Sequence, residues 1–109
     1  MEEDNRIAPS DELIYYVADF FKIFGDSTRL KLLCALRGGE MSVGDAAAAL
    51  GMTQSSVSHQ FRVLRQSDVV KFRREGKTVF YSLNDEHVEI LLEAGIDHIV
   101  HLSDDKHIF

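Results

Sequence analysis

A chain of 109 residues with 45% hydrophobic content is one small domain, and no apolar run in it approaches the length that crosses a membrane. A single cysteine, Cys34, excludes an intrachain disulfide framework, and the acidic start "MEEDNRIAPSDE" is unlike a secretory signal, so a cytoplasmic protein is expected. The net charge of −6 speaks against nucleic acid only until its distribution is read.

Ser10 and Asp11, after Pro9, form a helix start, and Leu13, Ile14, Val17, Phe20, Phe21 and Phe24 recur at helical spacing; this predicts a helix over about 11–22. "FGDST" breaks it, and Asp26 or Ser27 caps a second helix, "TRLKLLCALR", stopped by "GGE". "SVGD" has capping-box form and opens the short helix "VGDAAAAL", which Gly51 ends. Thr53 then caps "QSSVSHQFRVLRQS", with Val57, Phe61 and Leu64 on one side and polar residues on the other. Two short helices around a tight turn are a helix-turn-helix. "VVKFRR" and "TVFYSL" flank the turn "EGK" as a β-hairpin. Asn84 or Asp85 caps a last helix to about residue 102, and "SDDKHIF" reads as a loosely ordered tail. The expected fold is mainly α with a β-hairpin wing: one winged helix-turn-helix over residues 1–109, homodimeric through its first and last helices.

Residues 62–77 hold Arg62, Arg65, Lys71, Arg73, Arg74 and Lys77 against Asp68 and Glu75, whereas residues 81–109 carry seven acidic side chains and one basic. Such a local basic surface can bind DNA although the chain is acidic overall. Gln54, Ser55, Ser56, Ser58 and His59 lie in the first turns of the recognition helix, where short polar side chains approach base edges. Arg62 and Arg65 are placed for phosphates, and Arg73, Arg74 and Lys77 surround the wing tip. Double-stranded operator DNA is the expected partner; a merely solvated serine-rich helix and charged hairpin are the bland alternative.

The segment "DEHVEILLEAGIDHIVH" places Asp85 two residues before His87 and His98 three before His101. His98 and His101 share a helix face and can chelate together. Asp85 and His87 can converge at a helix start, where the capping residue has non-helical dihedrals. His87 and His98 face one side but lie about 16 Å apart along the axis, whereas zinc bonds to its ligands at about 2 Å. One chain cannot complete the site. Two antiparallel copies across a two-fold axis can, with Asp85 and His87 of one facing His98 and His101 of the other, and with small residues Ala94 and Gly95 near the crossing. Leu91, Leu92 and Ile99 are the expected apolar contacts. A filled three-nitrogen, one-oxygen set favours structural or regulatory Zn(II), with Co(II) or Ni(II) also suited. His107 and the acidic residues at 2–4 could add ligands. A zinc hydrolase would need an open coordination position and a pocket that so short a chain does not build, so no enzyme and no small-molecule substrate is expected.

The stretches "FKIFGDSTRLKLLCAL", "SSVSHQFRVLRQSDVV", "RREGKTVFYSL" and "DEHVEILLEAGIDHIVH" together resemble the ArsR/SmtB family of bacterial metal-responsive repressors, over about residues 11–102. The resemblance is to the subgroup with a metal site on the last helix, whose ligand pattern falls on Asp85, His87, His98 and His101. It implies a homodimer that represses when metal-free and leaves its operator when metal binds, with coupling from His98 toward the backbone around Asp68. Thiol-based members carry cysteines in the segment matching "EMSVGDAA"; Ser42 and Gly44 stand there instead, which argues against soft-metal sensing at that place. The alternative is a winged-helix regulator with a structural or absent metal and a different signal.

Overall fold

A computed structural model describes residues 8–106. Its order is α1 (Asp11–Phe24), α2 (Ser27–Ala35), a 3-10 turn (Leu36–Gly38), β1 (Met41–Ser42), α3 (Val43–Leu50), α4 (Gln54–Gln66), β2 (Val70–Glu75), β3 (Thr78–Leu83) and α5 (Glu86–Lys106). This is a winged helix-turn-helix, with α3 and α4 as the helix pair and β2–β3 as the wing.

Local chemistry sets the helix boundaries. The side chains of Ser10, Asp26, Ser42 and Thr53 each accept the backbone N–H three residues on, at 2.9–3.2 Å. These four caps satisfy donors that a helix start leaves free. Gly51 ends α3 at φ 64°, where a side chain would be strained. Asp68, just past the Ser67 cap of α4, has φ 59° and is the one non-glycine residue with positive φ among those described.

The sheet runs β1-β3-β2 and is antiparallel throughout. Its third strand, β1, pairs Met41 with Tyr81 and Ser42 with Phe80. Two residues show no periodicity, so β1 has no signature in the sequence. The wing turn is the pair Gly76–Lys77, since Glu75 still pairs with Thr78.

The core gathers Leu32, Leu33 and Leu36, Ala46 and Ala47, Val57, Phe61 and Leu64, Val69 and Val70, Tyr81, Val88 and Leu92. Phe61 stacks on Tyr81 at 4.3 Å between ring centroids, tying α4 to the wing. Burying Phe61 and Leu64 each contributes about 1.5–3 kcal/mol.

Three expectations change. The last helix runs through Lys106, so Ser103–Lys106 is helical rather than loose tail. Ser103 is buried, which holds the added turn down. The second helix tightens into 3-10 geometry at Leu36. Leu92 belongs to its own protomer's core, at 3% exposure, and is not free for a partner.

α1 has no buried residue. Leu13, Ile14, Tyr15, Tyr16, Val17 and Phe21 on α1, with Ile90, Ile99 and Val100 on α5, remain exposed. Between the two helices lies an apolar groove of about 480 Å³ lined by Phe21, Phe24, Leu30, Leu91, Ile96 and Ile99 among others. The radius of gyration is 16.2 Å, against about 13 Å for a compact domain of 100 residues.

Candidate DNA interface and metal site

The start of α4 stands over a cleft of about 580 Å³ shared with the start of α3 and the wing. Gln54, Ser55 and Ser58 line it from α4 and Lys77 from the wing tip. Ser42, Val43, Gly44, Thr78 and Val79 complete the wall; none of them was assigned to the DNA surface from sequence, because their place there depends on β1, α3 and the wing meeting in space. Ser56 and His59 are exposed on the same helix.

The arginines divide into distinct environments. Arg62 donates from Nη2 to Ser58 Oγ at 3.2 Å, which holds both on the exposed side of α4. Arg65 lies 4.0 Å over the Phe72 ring and leans the recognition helix on the wing through a cation–π contact. Arg73 donates to both oxygens of Glu40 and, at 2.8 Å from Nη1, to Glu75. Its guanidinium also lies 4.5 Å from the centre of the Phe80 ring. The Arg73 fork holds the Glu40 carboxyl below the usual glutamate range, and the two carboxylates raise Arg73 further above its ordinary value. Arg74 and Lys77 are exposed.

Asp85 immediately precedes α5 and caps it. Its Oδ1 accepts the Val88 N–H at 3.2 Å and lies 3.6 Å from His87 Nδ1; Oδ2 accepts from Asn84 Nδ2 at 3.4 Å. The Val88 N–H holds the Asp85 carboxyl below the usual aspartate range, opposed in part by desolvation. The residue is therefore a cap, and an ionised one. A carboxylate offers about four lone-pair sites, so capping leaves acceptor capacity for a cation.

The His87 side chain is 92% exposed, and His98 and His101 are exposed on the same helix. α5 is unbroken from Glu86 to Lys106, which fixes the distance between the two candidate donor pairs. At 100° per residue His87, Ala94, His98 and His101 fall on one narrow stripe, about 16 Å from His87 to His98. Among the described residues no group of three or more His, Cys, Asp or Glu side chains could hold a metal ion. One protomer thus presents an Asp–His pair at one end of α5 and a His–His pair near the other. The donor types fit Zn(II), Co(II) or Ni(II). His107 and the acidic residues at 2–4 lie outside the described residues.

The helix pair, basic wing and three-stranded sheet define a winged helix-turn-helix domain. Residues 26–71 match the family described as "Bacterial regulatory protein, arsR family". The chain is 46% identical over 83 residues to the transcriptional repressor SmtB homolog of Synechocystis sp. (76% of this chain, 63% of that protein). It is 45% identical over 86 residues to the HTH-type transcriptional regulator NmtR of Mycobacterium tuberculosis (79% of this chain, 72% of that protein). Its fold matches the crystal structure of the antimony-specific transcriptional repressor AntR with TM-score 0.83 at 32% identity, over 93% of this chain and 92% of that one. It also matches the homodimeric winged helix-turn-helix DNA-binding domain Mb0332 of Mycobacterium bovis with TM-score 0.75 at 29% identity, over 92% of this chain and 94% of that one. The chain belongs to the arsR family of bacterial regulatory proteins. It spans just under two thirds of the SmtB homolog's length, at 63%. No helix among the described residues is long and apolar enough to cross a membrane.

Proposed function

We propose that this chain is a cytoplasmic, metal-responsive transcriptional repressor. A homodimer binds two-fold symmetric operator DNA when metal-free and releases it when Zn(II), or alternatively Co(II) or Ni(II), binds between the two α5 helices. The observation that carries this reading is the division of four donors between the two ends of one unbroken helix. Asp85 and His87 meet at its start, and His98 and His101 stand one turn apart further on.

The exposed apolar surface of α1 and α5 supports pairing with a second copy, since exposed apolar surface of this extent marks an interaction site. Ala94 is small and exposed on the ligand stripe, and Gly95 has open space where a side chain would stand. Two antiparallel α5 helices can approach there. Asp85 and His87 of one protomer would then face the His98 and His101 pair of its partner, giving two equivalent sites.

On the DNA side, Gln54, Ser55, Ser56, Ser58 and His59 would meet base edges and Arg62 and Arg65 the phosphates. From the wing, Arg74 and Lys77 would reach the backbone. The regulatory step is linkage: an ion that binds the DNA-incompetent dimer more tightly shifts the population toward it, and a coupling of about 1–3 kcal/mol changes operator affinity about 5–150-fold. Bound at one ring nitrogen, the metal would orient the other nitrogen of His98 as a donor toward the backbone at the end of α4, around Asp68.

Operator binding by fluorescence anisotropy at constant salt tests the reading, with zinc, cobalt and nickel added in turn. The wild type should lose affinity with at least one ion, while His98→Ala should bind metal-free as well as wild type and not respond. Zinc that binds without changing operator affinity would make the metal structural and the signal a different one.

A further inference from the structure

The sequence assigns Arg73 to the DNA surface together with Arg74 and Lys77, but its surroundings differ from theirs. All three guanidinium nitrogens donate to carboxylates: Nε and Nη2 to Glu40, and Nη1 to Glu75. Arg73 pairs across the hairpin with Phe80 and lies over that ring. Phe80 pairs in turn with Ser42 of β1, and Glu40 immediately precedes β1. The contacts of one side chain therefore span β2, β3 and the approach to β1.

That path has a consequence for DNA binding. Ser42 is both the second residue of β1 and the cap of α3, the first helix of the helix-turn-helix. A tie from β2 to Glu40 fixes the wing against the segment from which the helix pair starts. To reach a phosphate, Arg73 would have to give up a two-point fork, a second carboxylate and a ring contact. Exposed single ion pairs contribute little, but a two-point arginine–carboxylate pair within a network is the arrangement that does contribute.

Resting on the DNA-binding reading above, we propose that Arg73 is a positioning residue that clamps the wing to the β1 segment through Glu40, leaving Arg74 and Lys77 as the wing's charges for the DNA backbone. Glu40 is then the partner that sets the wing's angle. It lies 33 residues from Arg73 in sequence, outside the basic segment altogether.

The test uses a fluorescein-labelled duplex enriched from a random-sequence pool by the metal-free wild-type chain. Wild type, Glu40→Gln, Arg73→Gln and Arg73→Lys are titrated at several salt concentrations. Both partners are exposed, so the variants keep the buried core, which far-ultraviolet circular dichroism checks. Glu40→Gln and Arg73→Gln should each weaken binding about three- to fivefold, the effect of about 0.7–1 kcal/mol. Both should keep the wild-type slope of log affinity against log salt. Arg73→Lys should be as weak as Arg73→Gln, because an ammonium cannot form the fork. A direct phosphate contact gives the opposite pattern. Glu40→Gln would then free Arg73 and bind as well as wild type or better, and Arg73→Gln would shallow the slope by about 0.9 per protomer. Either result overturns the clamp while leaving DNA binding intact. Failure of the wild type to enrich any duplex would overturn both the DNA-binding reading and the clamp.

Discussion

Phe61 of α4 and Ile90 of α5 are both large apolar side chains on helices, yet Phe61 is fully buried and Ile90 is 59% exposed. The difference extends to the regions around them. α4 and the wing satisfy one another within a single chain: Phe61 stacks on Tyr81, Arg65 covers Phe72, and Arg73 joins Glu40 and Glu75. α1 and α5 leave an apolar face uncovered and a set of candidate metal donors split along a helix. The part that would read DNA is complete in one protomer, whereas the part that would sense metal is not. A repressor built this way can keep its recognition surface folded while the relation between two copies changes.

The largest effect is expected where the complete region is opened. Phe61→Ala should cost about 3–5 kcal/mol, a large share of a small domain's stability of about 5–15 kcal/mol. Thermal denaturation should show a steep loss of melting temperature, and little change would mean that the α4–wing contact is not what holds this half together. Ile90→Asp probes the incomplete region. It should leave the fold intact and weaken self-association roughly 100-fold, because the two-fold axis places the new charge twice in the interface. Sedimentation velocity reads this directly, and an unchanged dimer would move the interface away from α5.

A smaller change separates two roles of one residue. Asparagine caps helices about as well as aspartate, so Asp85→Asn should keep the unfolding free energy within about 0.5 kcal/mol of wild type, read by thermal denaturation. It should lower zinc affinity by at least about tenfold, since the ligand charge is gone. Retained affinity would reduce Asp85 to a cap. The smallest effect concerns Glu40. Its folded pKa is depressed by Arg73, so the stabilisation from this contact is present above the ordinary glutamate pKa and is lost as pH falls through the lower, folded value. Carbon-13 titration should find Glu40 below the usual range in the wild type and back within it in Arg73→Gln.

What the sequence revealed follows from the range of the physics involved. Caps act over three residues, so Ser42 and Thr53 could be read directly, as could the buried set Val57, Phe61 and Leu64, and the first two caps could be narrowed to Ser10 or Asp11 and to Asp26 or Ser27. The proposed metal donors could be named because helix geometry relates their spacing along one element. Long-range pairings left no such mark. β1 is two residues defined by a partner near Tyr81, and counting charge within residues 62–77 could not see that Glu40 folds back onto Arg73. Leu92 looked free for a partner because periodicity shows that a residue lies on an apolar face, not which chain covers that face. The polar "SDDK" looked like tail because one buried serine extends the helix without any apolar residue to announce it.

Zinc stoichiometry in mixed dimers tests most directly whether two copies share each site. One chain carries Asp85→Ala with His87→Ala, and the other carries His98→Ala with His101→Ala. Neither forms a complete site by itself or with a copy of itself. The account expects their co-expressed heterodimer to regain one tight zinc per dimer, about half the wild-type content, because one of the two symmetric sites is then whole. No zinc in the heterodimer, or full zinc in either homodimer, would contradict it.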